Sequence, residues 1–214
     1  MARFGAKLPT LATLPPTPLE LVVLALGFPV ACSALRAGGL RALARASVPT
    51  LCALLAAELA HRWESHPRGH VRLSHLDIGQ GDSALIDLPD GTAILVDSGG
   101  IVGGIDVGER VLGPFLRARR RDRLRLVVVT HPHPDHFGGL ATGAATLAVD
   151  EIWDTLAEEA GAPQAPHASP VTGMQEAWKA WRSARRAAGT TVRGPAEICG
   201  EHVLGGAAVR VLMP

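Results

Sequence analysis

The sequence predicts a mixed α/β fold of the α+β kind, in which part of a layered sandwich follows one or two short membrane helices. Two apolar stretches precede residue 62, and a series of short strand patterns separated by turns begins at residue 71. Further along, a run of valines at residues 127–129 lies between helical patterns and predicts a buried strand. A chain of 214 residues can hold one medium-sized domain and an appendage.

The N-terminal region predicts an irregular leader over residues 1–18 and an apolar helical hairpin over residues 19–62. Its two apolar stretches, 19–35 and 48–60, are close to the shortest helices that span a bilayer, or shorter. Arginines between them favour the cytoplasmic side, which would place the following domain outside the cytoplasm. These arginines are Arg36, Arg41 and Arg45. Two alternatives remain: the first stretch is a signal peptide, or both stretches are core helices.

A polar connector over residues 63–70 joins this hairpin to a domain predicted over residues 71–214. Histidines occur in and around the connector, at His61, His66, His70 and His75. They lack regular metal-ligand spacing, and no carboxylate is placed to orient them. We therefore expect an exposed juxtamembrane linker whose arginine and histidine side chains lie along apolar surface.

Charge limits the partners of the chain. The net charge is +1, so overall electrostatics do not favour nucleic acid and only a local patch could bind it. The most basic patch consists of the six arginines between residues 117 and 125. A solvated helix face is the default interpretation of this patch, and contact with nucleic-acid phosphates is the alternative.

Three predicted strands joined by hairpin turns open the domain. They cover residues 71–78, 83–88 and 93–96. Asp97 directly follows the third strand and precedes a Gly-Gly pair, so a turn-forming carboxylate is one interpretation of it. Asp77 and Asp82 flank the first turn, and we expect them to support a site or form the turn rather than bind a ligand directly.

Helices, strands and loops alternate in the rest of the domain. The predicted segments are a flexible loop at 99–108, helices at 109–121 and 138–147, a strand at 149–154, a loop at 158–170, a helix at 171–188 and a hairpin at 201–214. Pro114 is an irregularity in the first helix. The loop at 158–170 is rich in Gly, Pro and Ala and is of a kind that covers active sites.

The valine-rich strand ends in a dense group of potential metal ligands. His131, His133, Asp135 and His136 follow Thr130 directly. Prolines after the first two histidines favour extended backbone, so both imidazoles are expected on the same side. Three imidazoles and a carboxylate suit zinc, with manganese as the second choice. A His-rich surface loop without metal is the alternative.

Three segments together resemble one protein family. The segment His-Pro-His-Pro-Asp-His at residues 131–136 resembles the signature of the metallo-β-lactamase superfamily of dinuclear hydrolases. Two further segments are Leu-Asp-Ile-Gly-Gln-Gly-Asp-Ser at 76–83 and Ile-Leu-Val-Asp-Ser-Gly-Gly at 94–100. With these, the chain resembles more narrowly the extracytoplasmic domain of ComEC-type DNA-uptake proteins, over residues 71–214.

The resemblance implies the N-terminal half of the αβ/βα sandwich of that superfamily, with two divalent metal ions at one site. It implies that His131 and His133 bind one ion, that Asp135 and His136 bind the other, and that Asp135 also orients the attacking water. It places Asp97 beneath the site, where its hydrogen bonds orient the ligands. The implied substrate is DNA, a single strand being expected. The implied location is the inner membrane, with the hydrolase domain on the extracytoplasmic side.

The sequence departs from the family pattern after His136. The family completes its site with a carboxylate that follows glycine and with a late histidine. After His136 this chain offers the histidines His167 and His202 and the carboxylates Asp150 and Asp154, and none stands in a matching context. The family also continues into a second sheet beyond the position of residue 214, so we expect a truncated gene product, a fragment or one half of a split protein. In the last case another polypeptide would supply the missing half. The alternatives are a hydrolase of small esters, thioesters or lactams, and an incomplete, non-catalytic domain of a membrane assembly.

Overall fold

The computed structural model describes residues 14–102, 104–131, 133–154 and 170–212, without the side chains of residues 102 and 170–175. The chain divides into two compact units, Met1–His61 and Arg62–Pro214. Most of the predicted leader and nearly all of the predicted loop at 158–170 lie outside the described residues.

The first unit is dominated by one long helix, α1, which runs over Pro18–Ser65 and enters the second unit at its end. It begins with a capping box, because the Thr17 hydroxyl accepts from the Glu20 amide at 3.2 Å and the Glu20 carboxylate accepts from the Thr17 amide at 2.7 Å. Gly39 breaks the helix with φ 64° and ψ −155°. A Cβ at Gly27 would overlap the Thr50 side chain, so the two arms fold back on each other.

Apolar side chains cover the outside of α1. Its most apolar window has a mean hydropathy of 1.9, and none of that window is buried. A core helix of a soluble domain would bury such a surface. This exposure therefore argues against the alternative that both apolar stretches are core helices. By length and composition α1 is able to cross a membrane.

The second unit contains a mixed six-stranded sheet in the order β1-β2-β3-β6-β7-β8. Its strands are β1 (Arg72–His75), β2 (Ala84–Asp87), β3 (Ala93–Val96), β6 (Arg123–Val129), β7 (Ala148–Asp154) and β8 (Thr191–Arg193). The pairs from β1 to β3 are antiparallel, and those from β3 to β8 are parallel. All strands except β2 therefore end at the same edge of the sheet, which we call the carboxyl edge.

The two faces of the sheet pack against different partners. In β6, Val127 and Val129 join the larger core, whereas Leu126 and Val128 pack on the opposite face. The helices that accompany the sheet are α2 (Gly113–Ala118), α3 (Pro134–Phe137), α4 (Leu140–Gly143), α5 (Pro170–Ala187) and α6 (Pro195–Ile198). On the opposite face lies a two-stranded hairpin of β9 (Gly200–Leu204) and β10 (Ala207–Val211), which leaves an apolar groove of about 370 Å³.

Three local predictions were wrong in detail. The loop predicted at 99–108 contains a small hairpin of β4 (Ile101–Val102) and β5 (Ile105–Asp106). The helix predicted from residue 109 is a π-helical turn, Gly108–Leu112, followed by α2, and Pro114 is tolerated because it lies in the first turn of α2. The helix predicted at 138–147 is confined to α4.

The basic patch is largely engaged in ion pairs rather than being a solvated helix face. Asp87, which has no exposed surface, binds the guanidinium groups of Arg72 at 2.6 Å and of Arg121 at 2.5 Å, and Arg119 lies 3.8 Å away. The Arg121 side chain is itself 2% exposed. Arg123 and Arg125 pair with Asp150 at 2.5 and 3.7 Å. β2 ends at Asp87, so this cluster lies at the edge opposite the carboxyl edge.

Candidate metal centre

Residues that follow two parallel strands meet at the carboxyl edge of the sheet. Asp97 comes directly after β3, and Thr130 and His131 come directly after β6, which pairs with β3 in parallel. His136 lies in the short helix α3, whose extended N-cap residue is His133. Because both strands end at one edge, side chains that are far apart in sequence come into contact there.

Asp97 is the centre of the hydrogen-bond network. It is 2% exposed and adopts φ 55°, a left-handed conformation that is unusual for a residue other than glycine. One carboxylate oxygen accepts from the Thr130 amide at 2.9 Å. The other accepts from the Thr130 hydroxyl at 2.6 Å and from His136 Nδ1 at 2.8 Å. Both oxygens are thus committed, so Asp97 acts by positioning its neighbours.

The network assigns the tautomers of two histidines. His136 Nδ1 carries the proton that it donates to Asp97, so its Nε2 retains a lone pair. The Thr130 hydroxyl gives its proton to Asp97, so its oxygen accepts from His131 Nδ1, 3.0 Å away. His131 Nε2 is then free as well. A carboxylate that fixes imidazoles in this way is the usual outer shell of a histidine metal site.

The donor set fits a divalent cation. Potential ligand atoms of Asp97, His131 and His136 all lie within 4.8 Å of one another. The ring centroids of His131 and His136 are 3.7 Å apart, and those of His131 and His133 are 5.0 Å apart. Imidazole nitrogens suit zinc and other divalent first-row metals, and the buried Asp97 carboxylate beside them favours a positive charge at this edge. The residues present could therefore hold such an ion.

The predicted site residues have different positions in this arrangement. His131 and His136 lie together, and the exposed His133 is next to His131. Asp135 is half-buried and is not part of the three-residue group. Asp77 is exposed and, among the described residues, lies outside the group of Asp97, His131 and His136. Which of these residues bind metal stays a prediction.

Glycines hold the histidine segment against the neighbouring loops. A Cβ at Gly81 would overlap the backbone carbonyl of Asp135, and one at Gly100 would overlap that of Pro134. Gly139 packs in the same way against the carbonyl oxygen of Ser98. Only residues without a side chain allow such close backbone contact. The loop after β1 and the loop after β3 therefore fix the position of Asp135.

Sequence reasoning missed two residues of the network. The strand pattern marks Thr130 only as the end of a strand, although its hydroxyl joins Asp97 to His131. Ser98 is fully buried, and its amide and hydroxyl both donate to the His136 carbonyl, at 2.7 and 3.0 Å. The sequence signal was a hydroxyl residue directly beside each candidate, Thr130 before His131 and Ser98 after Asp97.

The late histidines do not complete the site in the described part of the chain. His202 directs Nε2 to the Ile198 carbonyl at 2.8 Å and packs on Trp153 with ring centroids 4.6 Å apart. Trp153 belongs to the sheet face that carries the β9–β10 hairpin. His167 lies outside the described residues.

Comparisons with known proteins point in the same direction as this geometry. The family described as the metallo-beta-lactamase superfamily matches residues 76–195, more than half of the chain. ComE operon protein 3 of Bacillus subtilis (strain 168) is 35% identical over 75 residues. That similarity covers 29% of this chain and 10% of the relative, so the chain spans about a tenth of the relative's length.

Proposed function

We propose that this chain, which belongs to the metallo-beta-lactamase superfamily, is a membrane-bound, metal-dependent hydrolase module that cleaves phosphodiester bonds of DNA. The observation that carries the proposal is the Asp97 network. A buried carboxylate orients two imidazoles so that their Nε2 atoms are available as ligands, at the edge of the sheet where both strands end.

The proposed centre binds two divalent ions, zinc by preference and manganese as the second choice. His131 and His133 would hold one ion, and Asp135 and His136 the other. Such ions supply Lewis-acid chemistry and lower the pKa of a bound water. Asp97 keeps His136 in the Nδ1–H tautomer, and Thr130 does the same for His131. Asp135 would orient the attacking water by accepting a hydrogen bond from it.

DNA is proposed as the substrate, with a single strand expected, because a relative is named ComE operon protein 3 and the three sequence segments resemble ComEC-type DNA-uptake proteins. The apolar surface of α1 supports attachment to the cell membrane. Arg36, Arg41 and Arg45 between its apolar arms favour a cytoplasmic tip, so we place the hydrolase domain on the extracytoplasmic side.

The first test is metal content by mass spectrometry on the full chain in detergent. Close to two ions per chain are expected in the wild type, and a large loss is expected in His131→Ala. The matched control is His70→Ala, because His70 is exposed, lies before β1 and bonds, among the described residues, to the Arg68 carbonyl. Metal content in the control should equal that of the wild type.

The second test is cleavage of single-stranded DNA with and without a chelator. Activity that is abolished by the chelator and by His133→Ala, and retained in His70→Ala, is the expected result. Full activity in His133→Ala would overturn the proposal. Hydrolysis of a thioester or lactam without cleavage of DNA would retain the metal centre but replace the substrate class.

A further inference from the structure

A basic surface with an exposed aromatic ring surrounds the end of α1. Trp63, in the last turn of the helix, is 70% exposed, and the Arg68 guanidinium lies over its ring at 5.3 Å from the centroid. The other three tryptophans are buried, at 2%, 3% and 7% exposure. They are Trp153, Trp178 and Trp181. An exposed indole next to a guanidinium is typical of the boundary between lipid chains and headgroups.

The Asp87 cluster makes the same region positively charged. Three guanidinium groups share this one carboxylate, and those of Arg72 and Arg119 remain 31% and 27% exposed. Burial and the charge of Arg72 lower the pKa of Arg119, while Asp87 raises it. Residues 61–72 and 117–125 together contain nine arginines and two acidic residues. The cluster therefore carries a surplus of positive charge that can attract an anion.

Shared backbone contacts join these residues into one surface. The Ser65 carbonyl, at the end of α1, accepts from Arg72 at 2.8 Å and from Arg121 at 3.2 Å. Arg121 also donates to the Gly91 carbonyl at 2.7 Å, and the Arg68 side chain packs near Gly91. Guanidinium groups thus surround the last turn of the helix, where backbone carbonyls would otherwise lack donors.

We propose that the surface formed by Trp63, Arg68, Arg72 and Arg119 binds the phosphate headgroups of anionic phospholipids. This proposal rests on the membrane association in the proposed function. It adds the class of lipid that the second unit of the chain would contact. Guanidinium groups bind phosphate oxygens by charge-assisted hydrogen bonds, and the indole occupies the same depth. Nucleic acid is the weaker candidate, because Trp63 lies in the last turn of an apolar helix and Arg68 follows that helix. The Asp87 cluster also lies at the edge opposite the metal centre.

The test uses the full chain in vesicles that contain brominated phosphatidylcholine, with or without phosphatidylglycerol. Trp63 is the exposed tryptophan, so quenching by bromine reports mainly on it, and Trp63→Phe should remove the signal. Phosphatidylglycerol is expected to increase the quenching by roughly twofold at low salt, and high salt should reduce the increase. The double variant Arg68→Gln, Arg119→Gln should lose the increase.

The matched control is Arg110→Gln with Arg186→Gln, because both side chains are exposed and neither contacts Asp87. It should retain the increase. Equal quenching in both vesicles, unaffected by the variants, would overturn this proposal while leaving membrane association intact. No quenching in either vesicle would overturn both. An arginine-dependent response to an oligonucleotide but not to anionic lipid would also overturn it, in favour of nucleic acid.

Discussion

Asp87 and Asp97 are both buried carboxylates, but the groups around them differ in charge. Asp87 ends β2 and contacts three arginines. Asp97 follows β3, the antiparallel neighbour of β2, and accepts hydrogen bonds from Thr130 and His136. Within the residues that the structure describes, no lysine or arginine pairs with Asp97. The two carboxylates therefore lie at opposite edges of one sheet, one balanced by protein cations and the other not.

This difference separates an ion-paired carboxylate from one whose neighbours could hold a metal ion. Burial of an ionised carboxylate is costly unless a cation or several hydrogen bonds compensate for it. At Asp87 the chain supplies more cations than it needs. At Asp97 the chain supplies hydrogen-bond donors and two imidazoles whose Nε2 atoms keep a lone pair. A cation from solution can therefore bind there and balance the carboxylate charge. The edge with the incomplete charge balance is thus the edge that can bind metal.

The largest expected effect is that of Asp87→Asn on stability. The substitution leaves Arg121 buried without its counter-ion, which should lower the free energy of unfolding by about 3–5 kcal/mol. Asp150→Asn is the control, because Arg123 and Arg125 at that pair are 68% and 40% exposed, and about 1 kcal/mol or less is expected. Denaturant titration followed by tryptophan emission measures both. Equal losses in the two variants would contradict the contrast.

Asp97→Asn should instead act on metal affinity. The amide group turns an acceptor into a donor that faces the Thr130 hydroxyl or His136 Nδ1, so the imidazoles lose their orientation. A loss of about 10–100-fold in affinity for zinc is expected. The control is Asp82→Asn, an exposed acid in the neighbouring loop. Competition with a chromophoric chelator measures the affinities, and an Asp97→Asn protein that binds zinc like the wild type would reduce Asp97 to a structural role.

A matched pair of glycines separates backbone strain from contact with the site. Gly79 and Gly81 both have positive φ, at 76° and 91°, so alanine is strained at either position. A Cβ at Gly79 meets nothing within 4 Å, whereas one at Gly81 overlaps the Asp135 carbonyl. Gly81→Ala should therefore weaken zinc binding by roughly fivefold, a smaller effect than that of Asp97→Asn. Gly79→Ala should leave it unchanged, and equal effects would show that strain alone is responsible.

The sequence was sufficient for the fold class and the family because both depend on local patterns. The alternating strands and the valine run placed the sheet, and residues 131–136 carried the family resemblance. The mixed α/β fold and the superfamily are confirmed. Gly205 and Gly206 also form the turn between β9 and β10, where the hairpin was predicted. Each of these features is encoded within a few consecutive residues.

Features that depend on contacts between distant residues could not be predicted. The sequence predicts a solvated arginine patch. The ion pairs of this patch could not be foreseen, because its main partner, Asp87, is more than thirty residues away from Arg121 in sequence. The link between Asp97 and His136 spans a similar distance. The β4–β5 hairpin was missed because its strands are only two residues long and follow a glycine pair, which is typical of a loop. Tertiary contacts decided the first two, whereas the hairpin is local and too short to show a strand pattern.

The smallest expected effect concerns the pH dependence of stability at the Asp87 edge. Burial, and to a lesser extent the charge of Arg121, lower the pKa of His66 below its ordinary value of 6.5, while the Arg62 carbonyl and Asp87 raise it. The folded chain therefore favours neutral His66, whereas the unfolded chain takes up a proton near pH 6.5. Stability should fall as the pH drops from that value towards the lowered pKa. His66→Gln, which can still donate to the Arg62 carbonyl, should lose this part of the slope in denaturant titrations between about pH 5 and 7.5. A slope identical to that of the wild type would show that His66 gains no net preference for its neutral form from burial beside the arginine cluster.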